Sequence, residues 1–300
     1  MGNNLAARIL RACPPKLAAA SEGGISIVVV RHLAKVMAPV RFRYPAPSKQ
    51  STLAMIGISH VTKEYRKSEK VVDDFSLSVD VPVFGFLGQN GAGKTTIMKM
   101  IVGLLEPNTG TIEIDGEPAA TEASKRKIGY MPETPYFYER MTGMEFIRFC
   151  DELDGNRSGK RREHYEELLR RTGIYEARND EVGTYSKGMR QRLGFAQALV
   201  NNPKYLFLDE PFDGLDPIGR HEMKEVVREL RKEGRKIFLN THILYDVEEV
   251  CDEVGIIHRG KLLYAGSVKK FCGGRPLEER FTETVEKHER QTANNRLPTS

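Results

Sequence analysis

Hydrophobic and polar residues begin to alternate at Met55, in the segment MIGISHVTKEY. Beyond it, short apolar runs typical of buried strands are separated by longer segments whose apolar residues recur at helical spacing. The clearest runs are Val83–Leu87, Tyr205–Leu208 and Ile237–Leu239. Because strands that alternate with helices form parallel sheets, this pattern predicts an α/β fold.

The first 54 residues show neither the alternation of a strand nor the apolar spacing of a helix. They are rich in alanine and contain five prolines, and residues 1–50 carry eight basic residues against one acidic residue. The net charge of +5 therefore belongs to this segment, and the rest of the chain is close to neutral. An Arg-bearing, nearly acid-free start overlaps with organelle transit peptides. We expect residues 1–54 to be an unstructured leader or a mis-annotated extension; the pattern favours Met55 as the domain start without separating leader, linker and artefact.

Composition excludes several classes of protein. With 40% hydrophobic and 29% charged residues the chain can bury a core, which excludes a disordered protein. The longest apolar stretch, Ile25 to Val30, is far shorter than the ~18–20 residues of a spanning helix. The near-neutral body gives no reason to expect nucleic acid. The cysteines lie too far apart for a metal or disulfide framework and indicate reduced thiols. They are Cys13, Cys150, Cys251 and Cys272.

A glycine loop follows the strand Val83–Leu87 and precedes residues with helical spacing. Glycines let the loop backbone point its N–H groups at phosphate oxygens, and the helix N-terminus adds partial positive charge. Lys94 would reach the β- and γ-phosphates, and the Thr95 hydroxyl would ligate Mg²⁺. A chance match arises in roughly one random chain of this length in a hundred. The candidate nucleotide-binding residues here are Gly88, Asn90, Gly91, Ala92, Gly93, Lys94, Thr95 and Thr96.

Two acidic residues end the strand Tyr205–Leu208. In phosphoryl-transfer sites an Asp at this position holds Mg²⁺, and a neighbouring carboxylate orients the attacking water. Asp209 is therefore the candidate metal ligand and Glu210 the candidate base. Alone, such a pair is more often a solvated helix cap. Together with the glycine loop, it predicts an ATPase site.

Further segments resemble the ATP-binding domains of ABC transporters in order and spacing, from residue 55 to about 270. They are a signature motif at Thr184–Arg192, a D-loop at Glu210–Pro217, a switch segment at Asn240–His242 and, in place of the Q-loop, Ile128–Glu133. Tyr65 stands where the family has an aromatic residue that stacks on adenine.

This resemblance implies an α/β P-loop NTPase with a RecA-like parallel-sheet core, an inserted helical subdomain and an antiparallel edge. The ATPase domain would span 55–270, with the helical subdomain at about 136–183 and a C-terminal tail at 271–300. Residues 136–183 agree, because they lack strand runs and contain the helical-looking segments Glu145–Leu153 and Glu163–Arg171.

The resemblance also implies roles for single residues. Ser186 and Gly188 would bind ATP held by a second subunit. Glu133 would join Thr95 and Asp209 at Mg²⁺ and line the nucleotide site. His242 would hold the γ-phosphate and the water that Glu210 polarises.

Plainer roles stay open for three residues. Tyr65 lies among charged neighbours, where an isolated tyrosine is more often surface packing. His242 follows an apolar strand and is also compatible with a satisfied core histidine. Asp216 precedes Pro217, as a helix-capping residue does.

The chain departs from the commonest family pattern at three places. The signature reads Tyr-Ser-Lys-Gly-Met instead of Leu-Ser-Gly-Gly-Gln, and Glu133 replaces the usual Gln. Both variants resemble exporter-type (ABC-2-like) subunits whose permease is a separate chain. The turn Asp80-Val81-Pro82 is about one residue shorter than expected, which predicts a strained or misregistered strand before the glycine loop.

The function implied is that of an ABC transporter subunit that binds ATP and Mg²⁺, hydrolyses ATP as a head-to-tail dimer and drives transport, with export favoured. Expected partners are a second copy or a related ATPase subunit and a separate integral-membrane permease, without nucleic acid, at the cytoplasmic face of a membrane. The alternatives are a non-transport soluble ABC ATPase and a degenerate nucleotide-binding scaffold. A single glycine loop argues against the first, and retained Glu210 and His242 argue against the second.

Overall fold

Two β-sheets organise the chain in the computed structural model, which describes residues 55–66, 69–153 and 162–294. The predicted leader, residues 1–54, lies outside the described residues. Among the described helices, none has the length and apolar character needed to cross a bilayer.

The larger sheet has six strands in the order β10-β9-β3-β8-β7-β6. Its strands are β3 (Val83–Leu87), β6 (Ile128–Met131), β7 (Tyr205–Asp209), β8 (Lys236–Thr241), β9 (Glu253–His258) and β10 (Lys261–Ser267). All pairs are parallel except β10 with β9. The predicted parallel core with an antiparallel edge is confirmed.

The smaller sheet is antiparallel, in the order β2-β1-β4-β5. Its strands are β1 (Ile56–Arg66), β2 (Glu69–Val79), β4 (Thr109–Ile114) and β5 (Glu117–Pro118). The alternation that begins at Met55 produces β1, and Met55 itself is buried. This sheet covers one face of the parallel core.

Nine α-helices occur in the described ranges. They are α1 (Lys94–Ile101), α2 (Glu122–Lys125), α3 (Gly143–Leu153), α4 (Arg162–Arg171), α5 (Lys187–Leu199), α6 (Pro217–Lys232), α7 (Leu244–Val250), α8 (Val268–Cys272) and α9 (Leu277–Asn294), with a 3₁₀ turn at Val182–Thr184. The two segments expected to be helical between residues 136 and 183 are α3 and α4. The segment expected as a tail contains α9, whose Leu277 and Val285 are buried against the core.

The parallel strands are buried on both faces, but the two faces differ in chemistry. Aromatic residues face α1 and the antiparallel sheet. They are Phe84, Phe86, Tyr205, Phe207 and Phe238. Aliphatic residues alternate with them and face the helical side, among them Leu206, Leu208 and Leu239. Because strand side chains alternate with a period of two, a continuous apolar run still specifies register.

The prediction that the short turn disturbs the strand before the glycine loop is wrong. β3 pairs without a register shift with both β8 and β9. None of Asp80, Val81 and Pro82 has a positive φ. Lys236 instead forms an ion pair with Asp80, and Ile237 N–H donates to Pro82 O at 2.8 Å. The turn is held from outside by the neighbouring strand.

Candidate active site

The glycine loop runs from the end of β3 into α1 and is closely packed against its neighbours. A Cβ on Gly88 would lie 2.6 Å from Ile257 O, which explains the need for glycine there. Gly93 has φ 106° and is the N-cap of α1. The first turn of α1 contains no acidic residue, so its N–H groups are left for an anion.

The turn between β9 and β10 braces this loop. Gly260 N–H donates to Ala92 O at 3.0 Å, and Gly260 O accepts from Asp73 N–H at 3.1 Å. A Cβ on Gly93 would also meet Val71 O at 2.9 Å. Segments far apart in sequence therefore hold the loop in shape.

Lys94 is buried with its ammonium turned back onto the loop. Nζ donates to Gly88 O at 2.6 Å and to Gln89 O at 3.3 Å. Burial lowers the pKa of Lys94, opposed by the charges of Glu210, Asp209 and Glu133. The loop thus positions a cation, which a polyphosphate site requires, and three carboxylates lie close enough to influence its charge.

Asp209 lies at the end of β7, buried beside Asn240 of β8. Oδ1 accepts from Asn240 Nδ2 at 3.1 Å, whereas Oδ2 is buried without a hydrogen-bond partner in the described chain. Burial raises the pKa of Asp209, opposed by Asn240 and by the neighbouring Thr95 hydroxyl. An orphaned buried carboxylate oxygen next to a hydroxyl is a group that a cation would satisfy.

Glu210 follows directly and is in contact with His242. The His242 Nδ1 atom lies 2.9 Å from Glu210 Oε1, and since a carboxylate only accepts, Nδ1–H is the donor. Glu210 is 7% exposed, and its φ of 50° is in the left-handed region. Such a backbone in a non-glycine residue is held by its surroundings. The structure therefore brings the two predicted catalytic residues together.

The residues predicted to bind Mg²⁺ suit that ion. Thr95, Asp209 and Glu133 supply only oxygen, the donor that Mg²⁺ prefers. Burial raises the pKa of both Asp209 and Tyr130, and the charge of the exposed Glu133 raises both further. The Tyr130 hydroxyl is buried without a hydrogen-bond partner in the described chain.

The signature segment begins α5 beside the D-loop. Ser186 is the N-cap, and its Oγ accepts from Met189 N–H at 3.2 Å. Ser186 and Lys187 are exposed, and Gly188 packs against the D-loop. Lys187 Nζ donates to Asp213 Oδ2 at 2.7 Å, a contact that lowers the pKa of Asp213. The lysine that departs from the family pattern thus pairs within its own chain.

Four further residues predicted to bind nucleotide are exposed or half-buried. Tyr65 is 57% exposed on β1, with Lys63 Nζ 5.8 Å from the centre of its ring. Thr96 follows Thr95 in the first turn of α1, where both are half-buried. Asn90 and Gly91 form the exposed tip of the loop. Tyr65 is therefore accessible, without a contact that assigns it a ligand.

Three functional contacts escape sequence reasoning. Asn240 orients Asp209, Gly260 braces the loop, and the Gln191 side chain donates to Glu210 O at 2.6 Å. The Asn240 contact follows from β7 and β8 being neighbours, because Asp209 and Asn240 are register partners. The other two give no sequence signal. Asp216 does cap α6, accepting from Gly219 N–H at 2.7 Å.

The chain is similar in sequence to known proteins. A family described as ABC transporter matches residues 73–213. An uncharacterised ABC transporter ATP-binding protein, YxlF of Bacillus subtilis, is 43% identical over 217 residues, covering 72% of each chain. The bacitracin transport ATP-binding protein BcrA of Bacillus licheniformis is 41% identical over 213 residues, covering 70% of this chain and 68% of that one.

Solved structures agree. An ATP-binding subunit of an ABC transporter superposes with a TM-score of 0.69 at 31% identity, covering 77% of this chain and 99% of that one. A dimeric ATP-binding cassette in a post-hydrolysis state, bound to ADP and Pi, has a TM-score of 0.66 at 21% identity, covering 71% and 99%. At this lower identity the likeness concerns the fold alone.

Proposed function

Because the chain belongs to the ATP-binding proteins of ABC transporters, and such domains are ATPases, we propose that it hydrolyses ATP as a head-to-tail dimer to power export through a separate permease. The contact between Glu210 and His242, beside a glycine loop with a buried lysine, is the observation that carries the proposal.

The proposed chemistry divides among residues of one chain. Lys94 leaves the loop carbonyls Gly88 O and Gln89 O to bind the β- and γ-phosphates, with the loop N–H groups. Glu210 accepts a hydrogen bond from the attacking water and polarises it for in-line attack on the γ-phosphorus. His242 holds the γ-phosphate and keeps the Glu210 carboxylate in place.

Mg²⁺ fits the oxygen donors of Thr95, Asp209 and Glu133. When bound, it would neutralise charge on the β- and γ-phosphate oxygens. The unpartnered Asp209 Oδ2 supports this assignment. Few protein ligands are needed, because Mg²⁺ keeps several waters and phosphate oxygens.

The position of the signature motif supports dimerisation. Ser186 and Gly188 begin a helix whose first turn lacks acidic residues, so its N–H groups suit a phosphate. This end is exposed, whereas Lys94 is buried in its own loop. A second copy or a related ATPase subunit would bring Ser186 to the nucleotide, and one fold neighbour is described as dimeric.

Transport is proposed from relatives. BcrA is named for bacitracin transport, and the Tyr-Ser-Lys-Gly-Met signature resembles exporter-type subunits. The permease would be a separate integral-membrane chain, and the subunit would lie peripherally at the cytoplasmic face of the membrane. Neither a direction nor a permease is needed for the hydrolysis test below.

The test measures ATP hydrolysis against protein concentration for the wild type and Glu210→Gln, with size-exclusion chromatography in ATP and Mg²⁺. We expect a rate that rises faster than linearly, because two subunits form each site. Glu210→Gln should lose more than about 100-fold in kcat and elute as an ATP-bound dimer.

Glu176→Gln is the matched control, because Glu176 is exposed and lies outside the site motifs. It should hydrolyse ATP like the wild type. A rate that is linear in protein concentration, with Glu210→Gln monomeric in ATP, would contradict the dimer. A carbonate wash of native membranes tests location: the chain should be in the membrane fraction before the wash and in the supernatant after it.

A further inference from the structure

The Gln191 side chain is buried against the backbone of the catalytic carboxylate. Gln191 is 5% exposed, and its Nε2 donates to Glu210 O at 2.6 Å. The carbonyl also accepts from Asp213 N–H, at the longer distance of 3.2 Å. Gln191 therefore makes the shorter of these two hydrogen bonds to this carbonyl.

The backbone that Gln191 contacts is unusual. Glu210 has a φ of 50°, a conformation that is uncommon for residues other than glycine and persists where the surrounding structure holds it. Its N–H donates to Asn240 O at 2.9 Å on one side, and Gln191 and Asp213 hold its carbonyl on the other. Because φ and ψ set the direction of the Cα–Cβ bond, these bonds aim the carboxylate at His242.

Gln191 lies on the same helix as the signature motif. Ser186 caps α5, Gly188 lies in its first turn, and Gln191 follows within the next turn. An α-helix moves as a rigid rod over such a distance. If Ser186 binds the nucleotide of a second subunit, any shift of the helix reaches Glu210 of its own chain through Gln191.

We propose that Gln191 is a positioning residue that sets the backbone of Glu210 and thereby couples the signature helix to the catalytic carboxylate of the same chain. The inference rests on the proposed role of Glu210 as the base. It concerns orientation, and it assigns Gln191 no contact with ATP or with the attacking water.

The experiment compares Gln191→Met with Gln197→Met. Both substitutions replace a glutamine on α5 by a side chain of similar length without a donor, and Gln197 is half-buried elsewhere on the helix. Gln191→Met should lower kcat about 10-fold, with the KM for ATP changed less than about twofold, because binding residues are untouched. Gln197→Met should stay within about twofold of the wild type in both constants.

A double-mutant cycle separates positioning from general damage. In the Glu210→Gln background, Gln191→Met should slow residual single-turnover hydrolysis less than about twofold, since the residue it acts through is already disabled. An equal loss in both backgrounds, or a loss expressed in KM, would overturn the proposal.

Hydrogen exchange provides a readout that needs no activity. The amide of Asp213, bonded to Glu210 O, should exchange faster in Gln191→Met than in the wild type and in Gln197→Met. If exchange at Asp213 is the same in Gln191→Met as in the wild type, the positioning role is wrong. This test applies even if the isolated wild-type subunit does not hydrolyse ATP. If the wild-type rate were linear in protein concentration, the proposed dimer would be wrong. The ratio of kcat between Gln191→Met and the wild type would still test the role of Gln191.

Discussion

The glycine loop and the signature end of α5 are both suited to bind phosphate, but they differ in the contacts that hold them in place. Lys94 is buried, and Gly260 reaches across the sheet to hold Ala92 O. Ser186 is exposed, and its Oγ bonds only one turn ahead, to Met189 N–H. The loop is preorganised by long-range contacts, whereas the Ser186 hydroxyl at the signature end is exposed and has a local partner.

This difference separates two tasks. A site that binds ATP in a single subunit needs its cradle formed beforehand, since ordering it on binding would cost affinity. A surface that meets the nucleotide of another subunit needs exposure instead. The loop should therefore govern ATP affinity, and the signature end should govern hydrolysis in the dimer.

The largest effect on ATP affinity is expected for Lys94→Met. A charge-assisted hydrogen bond to phosphate contributes about 1.5–3 kcal/mol, so affinity should fall about 10- to 100-fold. Lys99→Met is the control, because Lys99 is exposed on the same helix. Calorimetric titration with ATP and Mg²⁺ measures both. Equal losses for the two variants would mean that net charge, not the loop, sets affinity.

A smaller effect is expected for Gly260→Ala, whose added Cβ should displace the bracing turn while the loop sequence stays intact. Gly260 has φ 76°, and a Cβ would lie 2.5 Å from Val71 O. We expect ATP affinity to fall about 3- to 10-fold and stability to drop by about 1–3 kcal/mol. Gly234→Ala shares the positive φ of 81° without a close neighbour. In thermal unfolding Gly234→Ala should lose less stability than Gly260→Ala. In calorimetric titration it should bind ATP as tightly as the wild type.

The smallest effect on affinity is expected for Ser186→Ala. Binding to a single subunit should stay within about twofold, while hydrolysis at high protein concentration falls about 10-fold. Loss of the cap should cost about 1 kcal/mol of stability. Thr121→Ala removes the N-cap of α2 in the same way and should not change hydrolysis. If ATP binds equally weakly to Ser186→Ala and Lys94→Met, the proposed division of tasks is wrong.

Local patterns predicted much of the fold. β3 matches Val83–Leu87, and α4 differs from Glu163–Arg171 by one residue at its start. These elements were predictable because the spacing of apolar residues along a strand or helix follows from which face is buried. The expected strain before the loop was wrong because Lys236 and Ile237 hold the turn from the next strand.

The candidate site was predictable as a set of residue types, because glycine, lysine, hydroxyl and carboxylate groups at fixed spacing match phosphate and Mg²⁺ chemistry. The spacing did not predict how these side chains are oriented. The positive φ of Glu210 and the contact of Gln191 with its carbonyl depend on packing α5 against the end of β7. No local pattern records that packing.

The sequence by itself determined the order of strands and helices and the residues of the glycine loop, since both follow from neighbours along the chain. Only the tertiary structure decided which segments brace that loop, which oxygen of Asp209 stays unpartnered and how Glu210 meets His242. These contacts join residues far apart in sequence. Their geometry is set by sheet register and helix packing, which emerge when the whole core forms.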